Sequence, residues 1–219
     1  MDTQIAMLWM RGRLSFLERL CVQSFVDAGH HVVLYSYDEI EAVPDGVERK
    51  DASEILPEDG FLVHERTGSP ALHSDLFRYK LLARNDRTIW ADTDAYCHRP
   101  FRTFEGHLHG WESPWDINGG VLALPRDSKA LNALLDYTSD EFAVPPWHET
   151  RYRGGRGAPL REALASGKPL HVSEQPWGVW GPHAVTYFLQ TTGDFRFTRP
   201  QVVLYPYSFK ERRRMLRPI

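Results

Sequence analysis

The sequence has few cysteines, no long apolar run and little net charge, and each shortage excludes a class of protein. Two cysteines among 219 residues, Cys21 and Cys97, cannot form the disulfide framework of a small secreted domain, so a reducing compartment fits. No apolar run approaches the roughly 18 residues of a membrane-spanning helix, and the first residues lack the basic and apolar regions of a signal peptide. We therefore expect a cytoplasmic protein without a transmembrane segment. A net charge of −3 gives no reason to expect nucleic acid or an anionic membrane as a partner.

The composition is that of an ordinary globular domain. Apolar residues make up 42% of the chain and charged residues 25%, a balance that supports a packed core. The length is enough for one domain with a sizeable interior. No repeat, low-complexity tract or shift in composition marks a boundary, so residues 1–219 are predicted to form a single domain.

A strand–helix–strand pattern opens the chain. Residues 5–10 are a short apolar run typical of a buried strand, and residues 14–28 have helical spacing, with Leu17 on the apolar face. Gly29 follows the helix as a C-terminal glycine should. Residues 31–37 are β-branched and aromatic, which favours a second strand. Such a unit predicts two parallel strands with a right-handed crossover.

Helices and strands then alternate along the rest of the chain. Residues 42–68, broken by prolines and glycines, are predicted to be loops and short helical turns. The remaining predicted elements are a helix starting at Ser69 and Pro70 and ending near Arg84, a strand at 88–91, a strand at 119–124, helices at 129–137, 159–166 and 182–190, and a last strand at 202–205. This order predicts an α/β fold with a mainly parallel sheet.

Two carboxylates, Asp92 and Asp94, directly follow the strand at 88–91. Side chains at positions i and i+2 of an extended chain point the same way, so both can reach one ion. Hard oxygen ligands suit Mg²⁺ or Mn²⁺, which commonly bind one or two carboxylates together with substrate phosphates. Ligands of open α/β sheets lie beyond the carboxyl ends of the strands. The pair therefore predicts a divalent cation site that handles a diphosphate.

Asp75 and Arg78 lie one helix upstream, three residues apart, and so share one side of that helix. Their position before the Asp92–Asp94 strand favours a place in the same site. The alternative is an ordinary exposed ion pair, which contributes little to stability.

Several segments together resemble the DXD-containing glycosyltransferases of the GT-A fold, the group that includes Och1-like mannosyltransferases, α-1,4-galactosyltransferases and large clostridial glucosylating toxins. The matching segments, in chain order, are 8–15, 74–82, 90–94, 99–100, 117–120 and 180–182. A lone DXD motif is weak evidence for this family, but a Ser-Asp-x-x-Arg motif followed by a strand and then DXD is specific to it. The resemblance covers about residues 5–206 and implies a single GT-A-like domain with a Rossmann-like, mainly parallel sheet flanked by helices.

The resemblance also implies where a nucleotide-sugar donor would bind. Leu8 and Trp9 would contact the nucleotide, with Trp9 stacked on the base, and a UDP-sugar is favoured over a GDP-sugar. Asp75 and Arg78 would hydrogen-bond the hydroxyls of the donor sugar. The activity implied is that of a retaining hexosyltransferase, which moves the sugar to a hydroxyl acceptor such as a glycan.

The metal and the sugar pocket are implied in the same way. Asp92 would contact ribose or sugar and help hold Mn²⁺ or Mg²⁺, and Asp94 would bind the ion directly. Asn118 and Gly119 would line the sugar pocket. Asp75, Arg78, Asp92 and Asp94 form the predicted catalytic set.

Other positions are left with more than one interpretation. Ser208 and His183 are candidates for a third metal ligand, and Glu112 and Asp116 for an acidic group near the anomeric carbon. The basic stretch 210–217 is either a solvated tail or a contact to the diphosphate. The aromatic residues of the segment 145–180 either form a platform for the acceptor or pack the core beneath a long loop; they are Trp147, Tyr152, Trp177 and Trp180.

Two other functions compete with the transferase. A non-catalytic nucleotide-sugar or carbohydrate-binding protein is one, because the relatives continue further after the segment that corresponds to 205–206. A phosphatase of the haloacid dehalogenase type is the other, since it also places DxD after a strand. There the first Asp is the nucleophile and opens the domain, whereas here the motif begins at Asp92 and no clear Asp-Asp pair follows.

Overall fold

Six strands form one mixed sheet in the computed structural model, which describes residues 3–207. The strands are β1 (Gln4–Leu8), β2 (Val32–Ser36), β3 (Val47–Asp51), β4 (Thr88–Ala91), β5 (Leu108–Trp111) and β6 (Ile117–Ala123). Their order across the sheet is β3-β2-β1-β4-β6-β5. The first four of these run parallel, and β6 is antiparallel to both of its neighbours. The predicted α/β fold with a mostly parallel sheet is confirmed.

Helices flank the sheet. They are α1 (Phe16–Asp27), α2 (Ala71–Arg84), α3 (Lys129–Tyr137), α4 (His148–Arg151), α5 (Ala158–Ser166), α6 (Pro182–Thr192) and α7 (Gln201–Leu204), together with short 3-10 turns at Ala52–Glu54, Gly155–Gly157, Val172–Glu174 and Asp194–Phe197. Within residues 3–207, no helix combines the length and the apolar character that crossing a membrane requires.

Two cores lie on opposite faces of the sheet, as the alternation of β1 shows. Ile5 and Met7 belong to the core beneath α1, whereas Ala6 and Leu8 belong to the larger core beneath α2, α3 and α6. Successive side chains of a strand point to opposite faces, so a strand buried on both sides supplies both cores. Trp90 in β4 lies in the larger core. That the whole of 1–219 is one domain stays a prediction.

The start and end of α1 follow local chemistry. Ser15 and Glu18 form a capping box, in which the Ser15 hydroxyl accepts from the Leu17 N–H at 3.2 Å and Glu18 accepts from the Ser15 N–H at 2.9 Å. Gly29 ends the helix with φ at 81°, as predicted. The predicted apolar face is wrong at Leu17, which is 48% exposed. Phe16 and Leu20 are exposed as well, so the buried face of α1 begins only at Cys21.

Three predicted elements need correction. The loop predicted at 42–68 contains β3, a polar edge strand that lacks apolar alternation because it pairs on one side only. The strand predicted at 202–205 is the short helix α7, closed by the Tyr205 N–H donating to the Gln201 carbonyl at 2.8 Å. The helix predicted to start with Pro70 begins one residue later, after Pro70 as its N-terminal cap residue. β5 lies outside the predicted elements.

Candidate functional site

The guanidinium of Arg78 is the centre of a buried charged group at the carboxyl end of β4. Its Nη2 atom lies 3.3 Å from Oδ1 of Asp75 and 3.3 Å from Oδ1 of Asp92. Arg78 also donates from Nε to the Ser74 carbonyl at 3.3 Å, and its carbon Cζ lies 5.0 Å above the Trp90 ring. Asp75 and Arg78 are only 7% and 6% exposed. They are therefore not an ordinary exposed ion pair.

Burial and mutual charge shift the ionisation of this group. Burial raises the pKa of Asp75 to about 6, with Arg78 opposing the shift and Asp92 adding to it. Burial also opposes the charge of Arg78, but Asp92 and Asp75 together hold its pKa above the ordinary value. The pKa of Asp94 is raised by the protein that surrounds it and by the nearby charge of Asp92. The site thus carries more acidic groups than cationic ones.

Asp92 is held by β4 and β6 together. Its Oδ1 atom accepts from Trp90 Nε1 at 2.8 Å, and its backbone N–H donates to the Gly120 carbonyl at 2.7 Å. A Cβ at Gly120 would lie 2.9 Å from Asp92 Oδ2, so glycine leaves that oxygen uncovered. The Trp90 contact joins positions i and i+2 of one strand. That spacing is visible in the sequence, but Trp90 was not among the predicted site residues.

The carboxylate oxygens of Asp92 and Asp94 are suitable ligands for a hard divalent cation. Both carboxylates line one cavity, and Mg²⁺ or Mn²⁺ needs only one or two carboxylates when substrate phosphates and water complete the shell. Within residues 3–207, no group of three or more His, Cys, Asp or Glu side chains could hold a metal ion. Ser208 and the basic stretch 210–217 lie outside the described residues.

His183, the other predicted third ligand, has one ring nitrogen engaged by another side chain. Its Nδ1 atom lies 2.7 Å from the hydroxyl of Tyr152, at the start of α6. The structure does not bring it into a metal-binding group with Asp92 and Asp94 among the described residues.

Two cavities meet at Asp92 and Asn118. The smaller one has a volume of about 220 Å³ and is lined by Asp75, Arg78, Glu112 and Gly119 in addition to the two shared residues. The larger one has a volume of about 830 Å³, and its lining includes Asp94, Tyr96, Phe101 and Tyr205. The predicted sugar-contacting residues therefore lie around the smaller cavity, and the predicted metal ligand Asp94 lies in the larger one.

Asn118 organises the boundary between the cavities. Its Oδ1 atom accepts from the Gly120 N–H at 2.7 Å, and its Nδ2 atom donates to Glu112 Oε2 at 2.8 Å. Glu112 thereby faces the smaller cavity. Asp116, the other candidate acid, is paired with Arg151 and lines neither cavity. Of the two acids, Glu112 is the one placed to meet a ligand.

Glycines let the backbone approach the charged group closely. A Cβ at Gly119 would lie 3.0 Å from Arg78 Nη1, and one at Gly181 would lie 3.0 Å from Asp75 Oδ2. Gly181 precedes α6, and the carbonyl of the residue before it, Trp180, accepts from the Tyr79 hydroxyl at 2.6 Å. The segment formed by Gly181 and Pro182 is therefore more than a helix start, because its backbone lies against the Asp75 carboxylate.

Leu8 and Trp9 lie at the same edge of the sheet but line neither cavity. β1 pairs with β4 through Ala6 and Trp90, which brings the residues that follow β1 beside Asp92. Leu8 is buried in the larger core, whereas Trp9 is half-buried against the core beneath α1. Phe101, which lines the larger cavity, packs against the same core, so Trp9 and that cavity share one face of the sheet.

The aromatic segment 145–180 divides between core and surface. Trp147, Tyr152 and Trp180 are at most 5% exposed and pack in the larger core, so they are not an acceptor platform. Trp177 is 44% exposed and lines the smaller cavity, with the edge of its ring near His64.

Comparison with known proteins supports the fold. The chain is similar to a solved structure described as PaToxG glycosyltransferase, with a TM-score of 0.53 and 15% sequence identity over 87% of this chain and 69% of that chain. At this identity the similarity shows a shared fold only. No protein-family model matches the sequence, and neither does any curated protein. The chain thus shares the α/β fold of that solved structure.

Proposed function

We propose that this protein is a metal-dependent, retaining glycosyltransferase that moves a sugar from a nucleotide-sugar, by preference a UDP-sugar, to a hydroxyl acceptor such as a glycan. The observation that carries the proposal is the buried meeting of Asp75, Arg78 and Asp92 at a cavity which Asp92 joins to the one containing Asp94. The shared fold with PaToxG glycosyltransferase supports the same class.

The cavity volumes favour a divided donor site. Ligand pockets commonly measure about 300–1,000 Å³. The smaller cavity, at about 220 Å³, is suited to the sugar alone, and the larger one, at about 830 Å³, has room for more of the donor. In this arrangement Asp75 and Arg78 bind sugar hydroxyls, beside Asn118 and Gly119. The diphosphate lies where the two cavities join.

Asp92 and Asp94 would hold Mn²⁺ or Mg²⁺ beside the diphosphate, where a bound ion offsets the negative charge of the leaving group. Arg78 adds a second positive charge nearby, and its contacts to Ser74, Asp75 and Asp92 keep the guanidinium in one orientation. A guanidinium that is already held in place before the reaction needs no reorganisation when negative charge develops on the leaving group. Glu112 lines the smaller cavity, and its carboxylate is the candidate acidic group near the anomeric carbon.

The nucleotide base would stack on Trp9, and Leu8, the preceding residue, would contact the nucleotide from the end of β1. Trp9 lies on the same face of the sheet as the larger cavity, and its Nε1 atom is buried without a hydrogen-bond partner among residues 3–207. A base stacked there would extend the donor from the smaller cavity along the edge of the sheet.

The non-catalytic nucleotide-sugar-binding protein is the main alternative, because a third protein ligand for the metal is not found among residues 3–207. The DxD phosphatase has less support. Its nucleophile would be Asp92, whose Oδ1 atom is already engaged by Trp90 and Arg78.

One assay separates the three functions. The protein is incubated with Mn²⁺ and a panel of UDP- and GDP-sugars, and nucleotide release is followed. Slow hydrolysis of one donor, abolished by Asp94→Ala and retained by the exposed control Asp86→Ala, supports the transferase. Binding without release, with and without acceptors, supports the binding protein. Phosphate release from simple phosphoesters contradicts both.

A further inference from the structure

The imidazole of His183 has one nitrogen held by the protein and one left free. Nδ1 lies 2.7 Å from the Tyr152 hydroxyl, which also accepts from Trp147 Nε1 at 3.1 Å. An indole N–H can only donate, so the Tyr152 proton remains available for His183 Nδ1. Burial lowers the pKa of His183 to about 4, with Arg151 acting in the same direction and Asp116 against it. We assign the proton of the neutral ring to Nε2, the tautomer in which the Tyr152 hydroxyl donates to Nδ1.

This Nε2–H group lies next to Gly178, a residue that lines the smaller cavity. Within residues 3–207 it makes no hydrogen bond, and it is not among the buried atoms that lack a partner, so it reaches solvent. A Cβ at Gly178 would lie 3.6 Å from it. Gly178 and Pro182 both line the smaller cavity, which places the free donor beside that cavity rather than at a remote surface.

Two further groups line the smaller cavity itself. Trp177 lines the cavity while 44% exposed, so part of a flat apolar ring is accessible to a ligand there. Glu112 lines the cavity with a carboxylate that is acceptor-only when ionised. A sugar ring matches this set, because its C–H face packs on an aromatic ring and its hydroxyls both donate and accept.

We propose that the set of Trp177, His183 and Glu112 forms the acceptor subsite, and that the acceptor is a carbohydrate. A pyranose ring stacks on Trp177, one hydroxyl accepts from His183 Nε2, and another donates to Glu112. In transfer, the acceptor oxygen bonds to the anomeric carbon, the bond from that carbon to the diphosphate breaks, and the acceptor's proton passes to the leaving diphosphate. The inference rests on the proposed transferase function and names its acceptor class.

A peptide hydroxyl fits this subsite less well. Serine and threonine side chains offer the hydroxyl but no ring face for Trp177, and the carboxylate of Glu112 would find a single donor where a sugar offers several. His183 acts here as a positioning residue for the acceptor, and Tyr152 acts through His183.

The test uses the full chain with UDP and Mn²⁺ and a panel of methyl α- and β-hexopyranosides, with binding followed by saturation-transfer NMR. We expect at least one glycoside to bind. Trp177→Ala and His183→Ala should each weaken that binding by roughly tenfold, the loss of about one good contact. The affinity for UDP should not change. Matched controls are Trp115→Ala, 76% exposed and outside both cavities, and His171→Ala, whose ring contacts Glu141 and Ser173 instead.

Nitrogen NMR of the His183 ring gives a readout that a packing role would not move. The expected form is the neutral Nε2–H tautomer, and Tyr152→Phe should raise the His183 pKa and weaken glycoside binding. The Nδ1–H tautomer would overturn the proposal, as would glycoside binding that survives both Trp177→Ala and His183→Ala. The proposal would also be overturned if no glycoside of the panel binds, or if a parallel set of peptides with Ser, Thr or Tyr binds while the glycosides do not. Failure of wild-type protein to bind UDP contradicts the proposed function itself, which keeps the two failures distinct.

Discussion

Arg78 on α2 and Asp92 after β4 meet at 3.3 Å, between Nη2 and Oδ1, and join a helix to a strand at the point where the two cavities touch. The arginine side chain is 7% exposed, and that of its other carboxylate partner, Asp75, is 10% exposed. One guanidinium thus compensates two buried or half-buried carboxylates, which makes the site sensitive to any change in this residue.

Arg78→Ala should destabilise the fold by about 3–5 kcal/mol, because it leaves Asp75 buried without its cationic partner. The free energy of unfolding, measured by urea titration, gives the effect. Arg126→Ala is the matched control, since Arg126 pairs with Asp86 at 3.5 Å on the exposed surface, where such pairs contribute about 0–1 kcal/mol. Equal losses in the two variants would show that the buried pair does not stabilise the fold.

The unfolding free energy should depend on pH through Asp75. Its pKa in the folded protein is about 6, above the ordinary value of 3.8, so its contribution is fully present below the ordinary value and is lost as pH rises through 6. Relative to Asp75→Asn, the wild type should therefore lose stability between about pH 4 and pH 7. Asp86→Asn, an exposed substitution, should show no such difference. A wild type that gains stability relative to Asp75→Asn over this range would contradict the burial of the carboxyl.

Gly181→Ala should weaken donor binding without removing any polar group. The new Cβ would lie 3.0 Å from Asp75 Oδ2, and either the carboxylate or the start of α6 must move to make room. Gly154→Ala is the control, because a Cβ there meets nothing within 4 Å. Calorimetric titration with a hydrolysis-resistant UDP-sugar measures the change. The same affinity in both variants would show that Asp75 does not contact the donor.

Trp9→Ala should weaken UDP binding by roughly tenfold or more, since stacking of a base on an aromatic ring contributes about 1–3 kcal/mol. Trp115→Ala, which removes an exposed indole outside both cavities, should leave UDP binding unchanged. Calorimetry with UDP and Mn²⁺ measures both. Equal affinity in the two variants would indicate that the base does not stack on Trp9 and binds within the larger cavity instead.

Local sequence signals predict much of this fold. The strand–helix–strand opening, the Ser15 capping box and Gly29 are properties of neighbouring residues, and the structure shows them where local chemistry predicts. β3 and α7 could not be predicted in this way. The polar run of β3 is a strand only because β2 lies beside it, and the Val202–Val203 pair has strand-like composition in a single helical turn.

The site was predictable to a similar degree. Asp75, Arg78, Asp92 and Asn118 line one cavity, because the helix and the strands that carry them end at the same edge of the sheet, and their roles stay predictions. The packing partners could not be read from spacing. Trp177 reaches the smaller cavity from a loop some hundred residues away from Asp75, a relationship that only the tertiary fold creates.

The proposed donor site depends most directly on Asp92 and Asp94 as the anchor of a metal-bound nucleotide diphosphate. The decisive measurement is calorimetric titration of UDP into the wild type, Asp94→Ala and the exposed control Asp86→Ala, each with Mn²⁺ and with a chelator. We predict that UDP binds the wild type and Asp86→Ala only when Mn²⁺ is present, and that Asp94→Ala binds poorly in both conditions. UDP affinity that is the same with Mn²⁺ and with the chelator, or that Asp94→Ala retains in full, would contradict the account.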